Sequence, residues 1–221
     1  GYLLLLCGVL LKIYGDVEGY TVLRGMALIP VLFGILCIKF PKKTCRAMLY
    51  PVLFLLFIIP LPTFAIDQVT WVLQRFAVEL VAPSLSWLGY PAKLDGFVLA
   101  LSDARLPLGH HEIIIGQSCS GIRSLVALLA LSSLYAYLRG FRLWEKGLVL
   151  ALVLPLNLLG NFSRIMLTTL LVIYVDPQTA ESFFHELSGV VIFCTTIAGL
   201  FLLENALRWL RRTHEAGDIN A

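Results

Sequence analysis

Three side chains in this 221-residue chain have the chemistry that nucleophilic catalysis needs. Cys119 lies in the stretch QSCSGIRSL, where a polar loop meets an apolar run, and the dipole of a helix that begins there would favour the thiolate. His185 could relay the thiol proton and protonate a leaving amine. Arg164 could stabilise an oxyanion or position a carbonyl. These residues form a candidate catalytic set if the fold brings them together.

The composition indicates what kind of fold must position them. The chain is 59% hydrophobic and 14% charged, with a mean hydropathy of +0.87, whereas a soluble domain carries about 25% charged residues. Repeated apolar runs of roughly 17 to 25 residues are typical of membrane-spanning helices. We therefore predict an all-α polytopic membrane protein that forms a single integral membrane domain over residues 1–221.

Six apolar segments predict about six transmembrane helices. They cover residues 1–14, 20–38, 47–66, 120–138, 147–175 and 188–207. The fifth would be about 43 Å long, more than a hydrocarbon core of about 30 Å. The flanking charges favour one long crossing, broken or kinked near Pro155 and Gly160–Asn161, over two short ones. Because the chain starts inside an apolar run without Met, we expect further spans upstream.

The placement of charge predicts the orientation. Ten of the 17 basic residues lie in residues 39–46, 139–146 and 208–212, which alternate crossings put on one side. The positive-inside rule makes that side cytoplasmic, and the acidic loops then face out. On this topology Cys119, Arg164 and His185 all lie in the outer leaflet. We therefore predict a multi-pass protein of the plasma (inner) membrane whose active site faces the periplasm or cell exterior.

The long outer connection, residues 67–118, is predicted to contain an amphipathic helix on the membrane surface. Its predicted apolar face is Val69, Val72, Leu73, Phe76, Ala77 and Leu80, and its predicted polar face is Gln68, Gln74, Arg75 and Glu79. Further along, GFVLALSD and HEIII predict a short strand pair or an extended segment before Cys119.

Simpler explanations exist for these residue types. A lone membrane cysteine usually serves packing, which we expect of Cys7, Cys37 and Cys194. Arginines such as Arg123 and Arg164 can extend toward lipid phosphates, and His185 alone could be an interfacial histidine.

Metal and cofactor sites are not predicted. The cysteines show no CxxC spacing, so neither a disulfide framework nor a zinc site is indicated. Adjacent histidines His110 and His111 in an extended segment point apart, and no Asp, Glu or Cys completes a ligand set around them. We predict no metal site and no cofactor.

Three short blocks carry a resemblance to a known family. CSGIRSL at 119–125, NFSRI at 161–165 and HELSG at 185–189, followed by Phe193, resemble in order and interval the signature blocks of the exosortase/archaeosortase family. The resemblance runs from about residue 45 to 207. It implies a multi-spanning cysteine peptidase or transpeptidase with Cys119, Arg164 and His185 as catalytic residues. Family members usually have about eight spans, so two upstream would complete the six seen here.

The resemblance also implies the partners. The substrate would be a secreted protein whose C-terminal sorting signal comprises a short motif such as Pro-Glu-Pro, a membrane helix and a basic cluster. The lipid bilayer is the other partner, no nucleic acid is expected, and the oligomeric state is left open. Substrate binding or support is expected from the remaining block residues, namely Ser120, Gly121, Arg123, Asn161 and Gly189.

Two other classes of function stay open. A transporter or assembly factor for an exported polysaccharide would use Arg164 and Arg123 to bind an anionic group, since broken helices with buried cations also occur in transporters. A structural membrane subunit would need neither the thiol nor the clustering. Replacing Cys119 with Ser discriminates, because a transporter has no chemical need of that thiol.

Overall fold

The computed structural model describes residues 1–90, 92–102, 110–114, 121–174, 189–190, 193–206 and 208. Within these ranges the chain is mainly helical, in agreement with the predicted all-α class of membrane protein. It separates into two compact units, residues 1–67 and residues 68–221. The prediction of one integral membrane domain remains a prediction.

The first unit is built on an antiparallel helix pair, α1 (Tyr2–Val17) and α2 (Thr21–Lys39). Glycine lets the two backbones approach each other. A Cβ built on Gly8 would lie 2.6 Å from Val31 Cγ2, and a Cβ on Gly34 would lie 2.6 Å from the backbone nitrogen of Leu5. Small residues at the interface are how membrane helices gain van der Waals contact, since lipid removes the hydrophobic driving force.

The apolar segment 47–66 is not one helix, contrary to the prediction. Helix α3 (Lys42–Phe54) continues as a short 3-10 helix (Leu55–Ile58), and the next helix, α4 (Thr63–Trp87), starts only after a break. The break contains the sequence IPLP. Pro60 and Pro62 donate no backbone hydrogen bond, and each disfavours helical geometry in the residue before it. Two prolines in three positions therefore end the helix inside an apolar run.

Helix α4 confirms the predicted helix in the outer connection and corrects its faces. Its buried side carries Leu73, Ala77, Val78, Val81 and Leu85 together with the polar Thr70 and Gln74. Gln74, which we assigned to the polar face, is buried, whereas the predicted apolar residues Val69, Val72, Phe76 and Leu80 are exposed. Helix α4 therefore has three faces: one packed against protein, one exposed and apolar, and one exposed and polar. The sequence prediction assumed two faces and could not separate them.

A three-stranded antiparallel sheet follows α4 in the order β1-β2-β3. Strands β2 (Val98–Ser102) and β3 (His110–Ile114) pair with Leu99 opposite Ile113, which confirms the predicted strand pair. Strand β1 (Ala92–Asp95) was not predicted. Its sequence AKLD is not strand-like, but Gly96, the first of the two loop residues between Asp95 and Val98, is a hairpin signal that we missed.

The last three helices are α5 (Ile122–Leu138), α6 (Leu143–Tyr174) and α7 (Phe193–Ala206). Helix α6 runs without a break through Pro155 and Gly160–Asn161, so the prediction of a single long segment is confirmed, the predicted break does not occur, and a kink there remains a prediction. Its C-terminal half packs on the sheet and α4: Ile165 and Ile173 share a core with Leu85, Leu99 and Leu101.

Among the described residues, two helices are long and apolar enough to cross a membrane, α2 and α6. A third crossing results if the bent pair formed by Lys42–Ile58 and Thr63–Trp87 counts as one span. Helices α5 and α7 are apolar but shorter. The chain is thus a membrane protein, while the number of six spans remains a prediction.

Candidate active site

The structure describes part of the predicted site. Gly121, Arg123, Asn161, Arg164 and Gly189 lie within the described residues, whereas Cys119, Ser120 and His185 lie outside them. The distances that would join the thiol, the imidazole and the guanidinium therefore remain predictions. The described helices bring the first two sequence blocks, CSGIRSL and NFSRI, into contact.

Gly121 begins α5 in a conformation that favours glycine. Its φ of +74° and ψ of 10° lie in the left-handed region, where a side chain would clash with its own backbone. A Cβ at this position would also lie 3.2 Å from Oδ1 of Asn161 on α6. The backbone angle favours glycine here, and a Cβ would also crowd the Asn161 side chain. The first and second sequence blocks, CSGIRSL and NFSRI, thus meet in space at Gly121 and Asn161.

A second contact one turn deeper fixes the register of the two helices. The Ser124 hydroxyl lies 2.9 Å from Oδ1 of Asn157 and 2.8 Å from the carbonyl oxygen of Gly121, so it can donate to either. Asn157 is fully buried and Asn161 is only 1% exposed. Because a buried polar group needs hydrogen bonds, this layer specifies how α5 and α6 align.

Arg164 lies one turn beyond Asn161 on the same stripe of α6, since Asn157, Asn161 and Arg164 follow an i, i+4, i+7 spacing. Its side chain is half-buried. The stripe places a permanent cation just beyond the level of Gly121, past the N-terminal end of α5. A charged residue in an apolar helix is costly and marks a functional site by default.

The two remaining predicted residues are placed differently. Arg123 is exposed in the first turn of α5. Gly189 is half-buried, and a Cβ built there would meet no heavy atom of the described structure within 4 Å. Packing therefore gives no reason for glycine at position 189.

An ion cluster around a buried carboxylate holds the opposite end of the bundle that α5, α6 and α7 form. The Glu204 carboxylate of α7 accepts hydrogen bonds from the Tyr135 hydroxyl and from the guanidinium groups of Arg139 and Arg208, with Nε of Arg208 at 3.0 Å. The glutamate side chain is 5% exposed. Since α5 and α7 both end here, both also begin at the other end of the bundle, where Gly121 and Asn161 lie.

Sequence reasoning missed Asn157 and Glu204. Asn157 interrupts the apolar run LVLPLNLL, and its position four residues before Asn161 could have shown that both share one face. Glu204 stands alone in FLLENAL, and an isolated carboxylate near the end of an apolar helix indicates a buried partner. No group of three or more possible metal ligands occurs among the described side chains.

Comparison with known proteins fits this geometry. The chain matches the family model described as transmembrane exosortase over residues 1–202. No curated protein and no solved structure matches it. The protein therefore belongs to the transmembrane exosortase family, which confirms the resemblance seen in the sequence blocks. Membership supports a membrane transpeptidase-like role on substrates that carry a sorting signal.

Proposed function

We propose that this protein is a membrane cysteine peptidase or transpeptidase that cleaves C-terminal sorting tails of exported proteins at the outer boundary of the membrane. Cys119 is the nucleophile, His185 the general acid and base, and Arg164 the cation that stabilises or positions the substrate carbonyl. The observation that carries the proposal is the contact of Gly121 with Asn161, because it puts the helix that follows Cys119 against the turn that precedes Arg164.

The placement of His185 is supported indirectly. The buried cluster at Glu204 aligns the C-terminal ends of α5 and α7, so α7 starts at the same end as α5. Phe193, at the start of α7, follows His185 by eight positions in the chain. This short interval supports the proposal that the histidine lies at the end of the bundle where α5 begins.

The proposed reaction has two halves. The Cys119 thiolate attacks the carbonyl carbon of the substrate peptide, and the carbonyl electron pair moves to oxygen. Collapse of this intermediate breaks the carbon–nitrogen bond, and His185 protonates the departing amine, which leaves a thioester. An amine, a hydroxyl group or water then attacks the thioester carbonyl, and the Cys119 sulfur departs and is reprotonated.

The recognised tail is proposed to be of the Pro-Glu-Pro type. The active site is proposed to face the periplasm or cell exterior, because the basic residues of the connection between α5 and α6 lie at the other end of α5 from Gly121. The test is a reporter protein with such a tail, co-expressed with the wild-type chain or with single variants. We expect Cys119→Ser, Arg164→Ala and His185→Ala each to abolish cleavage, and Cys194→Ser to leave it unchanged.

The transporter and structural alternatives make the opposite prediction. If Cys119→Ser processes the reporter at the wild-type rate while Arg164→Ala abolishes the cellular function, the arginine binds an anion and the peptidase proposal is wrong. Membrane abundance of each variant serves as the control, because loss of cleavage has meaning only when the protein accumulates normally.

A further inference from the structure

Three positively charged side chains surround an open cavity at the start of α3, in the first unit. The cavity has a volume of about 510 Å³ and is lined by Lys42, Lys43, Arg46 and Ala47, all of which are exposed. This volume lies within the range of about 300–1,000 Å³ that is typical of small-molecule sites. The lining offers a ligand two ammonium groups and one guanidinium group, which are all hydrogen-bond donors.

The positive charge of this cavity has no counter-charge in the first unit. Residues 19–66 contain no Asp or Glu, and the ion pair found within residues 1–67 joins Arg24 to Asp16 at 3.6 Å. In the second unit, by contrast, Arg139 and Arg208 both donate to the Glu204 carboxylate. Like charges that lie close together repel one another unless an anion lies among them. The cavity therefore favours an anionic ligand.

The same face of α3 continues from the cavity as exposed apolar surface. Lys42, Arg46, Leu49 and Leu53 follow an i, i+4, i+7, i+11 spacing, which puts them on one side of the helix. Leu49 and Leu53 are each 42% exposed. A ligand that combines an anionic group with long apolar chains would match this face, because its charge would enter the cavity while its chains cover the leucines.

We propose that the cavity at the start of α3 binds the phosphate group of an anionic phospholipid, whose acyl chains lie along Leu49 and Leu53. Basic pockets beside membrane helices suit lipid headgroups, and the Arg46 guanidinium can donate two parallel hydrogen bonds to a phosphate. In the orientation predicted from the charges, this lipid belongs to the cytoplasmic leaflet. The site takes no part in the proposed peptidase reaction and does not depend on it.

The test measures binding by native mass spectrometry of the full-length protein in a nonionic detergent. The probes are phosphatidylglycerol, phosphatidylcholine and glycerol 3-phosphate. Phosphatidylcholine has the same acyl chains but no net charge, and glycerol 3-phosphate has the phosphate without the chains. We expect the first phosphatidylglycerol to bind at least about tenfold more tightly than either of the other probes.

Charge variants locate the site. Lys42→Gln and Arg46→Gln should each weaken binding of the first phosphatidylglycerol about fivefold, and the double variant should weaken it about 25-fold. Lys39→Gln is the matched control, because Lys39 is exposed in the same basic connection and the change removes the same charge, but Lys39 does not line the cavity. This variant should weaken binding less than about twofold.

A cavity-filling variant tests the shape of the site without changing its charge. Ala47→Leu puts a larger side chain between the cations and should weaken binding of phosphatidylglycerol about tenfold. All the substituted positions are exposed, so the variants should fold as the wild type does.

The opposite results would overturn the site. Equal weakening by Lys39→Gln and Arg46→Gln would mean that the connection attracts lipid through its net charge alone. Unchanged binding in the double variant or in Ala47→Leu would place the lipid elsewhere on the protein. Equally tight binding of glycerol 3-phosphate and phosphatidylglycerol would show that the ligand is a dissolved phosphate and not a lipid.

Discussion

Replacing Gly121 with Ala should lower the free energy of unfolding more than the same replacement at Gly140, which serves as the reference. Gly121 has a φ of +74° and would bring a Cβ to 3.2 Å from the Asn161 amide. Gly140, at the other end of α5, has a φ of +64° and no heavy atom within 4 Å of its Cβ position in the described structure. Gly140→Ala therefore carries the backbone strain alone, and Gly121→Ala carries the strain plus the contact.

The magnitudes follow from these two terms. A left-handed backbone costs an L-residue about 1–2 kcal/mol, of which the stiffer unfolded chain returns about 0.4–1 kcal/mol. Gly140→Ala should thus lower the free energy of unfolding by about 1 kcal/mol. Overpacking against Asn161 adds about 1–3 kcal/mol, so Gly121→Ala should cost about 2–4 kcal/mol. It should also slow acylation of Cys119 more than tenfold by moving the α5 terminus.

Tryptophan fluorescence during denaturant unfolding in detergent measures the first effect, and acylation by p-nitrophenyl acetate measures the second. The double variant Gly121→Ala/Asn161→Ala removes the crowded amide, so it should recover stability relative to the sum of the single variants. Equal stability and equal acylation of Gly121→Ala and Gly140→Ala would refute the claim that Gly121 exists to let α5 approach α6.

Two further predictions concern the charged residues. Glu204→Gln should lower the free energy of unfolding by about 1–3 kcal/mol, because its carboxylate is buried and accepts hydrogen bonds from three side chains. Glu79→Gln should cost less than about 0.5 kcal/mol, because both members of the Arg75–Glu79 pair are exposed; equal costs would contradict this. Arg123→Lys should slow cleavage of a tail that contains glutamate while leaving alkylation of Cys119 unchanged, since Lys cannot bind a carboxylate through two parallel hydrogen bonds. Wild-type cleavage by Arg123→Lys would show that this arginine contacts lipid only.

The sequence predicted those elements whose signal is local. Long apolar runs predicted both ends of α2 and the C-terminal end of α6 to within one residue, although α6 begins four residues earlier than predicted. The segments GFVLALSD and HEIII predicted a strand pair or an extended segment, and the strand pair of β2 and β3 is observed. The four residues 59–62, which contain Pro60 and Pro62, were enough to interrupt the helix that the hydropathy pattern predicted. Hydropathy averages over a window, whereas a single proline acts on the hydrogen bonds of one turn.

The misassignment of Gln74 has a different cause. Its neighbours in the chain predicted a polar face, but the sheet and α6 lie against that side of α4 and bury it. A contact with a distant segment leaves no trace in local periodicity. The same holds for the candidate site: the residue types at Arg164 and Gly121 were noticed, whereas the hydrogen bond between Ser124 and Asn157 became visible only when α5 was seen beside α6.

The cluster around Glu204 has a consequence for biosynthesis. Its cation Arg139 is made 65 residues before the carboxylate that binds it, so α5 and α6 can pair while α7 is still unsynthesised. Helix α7 is held in register only when Glu204 leaves the ribosome and docks. Under the proposed mechanism His185 is positioned by that same helix. A nascent chain would therefore carry its thiol in the membrane without a working proton donor, and cleavage activity would appear only after Glu204 has docked.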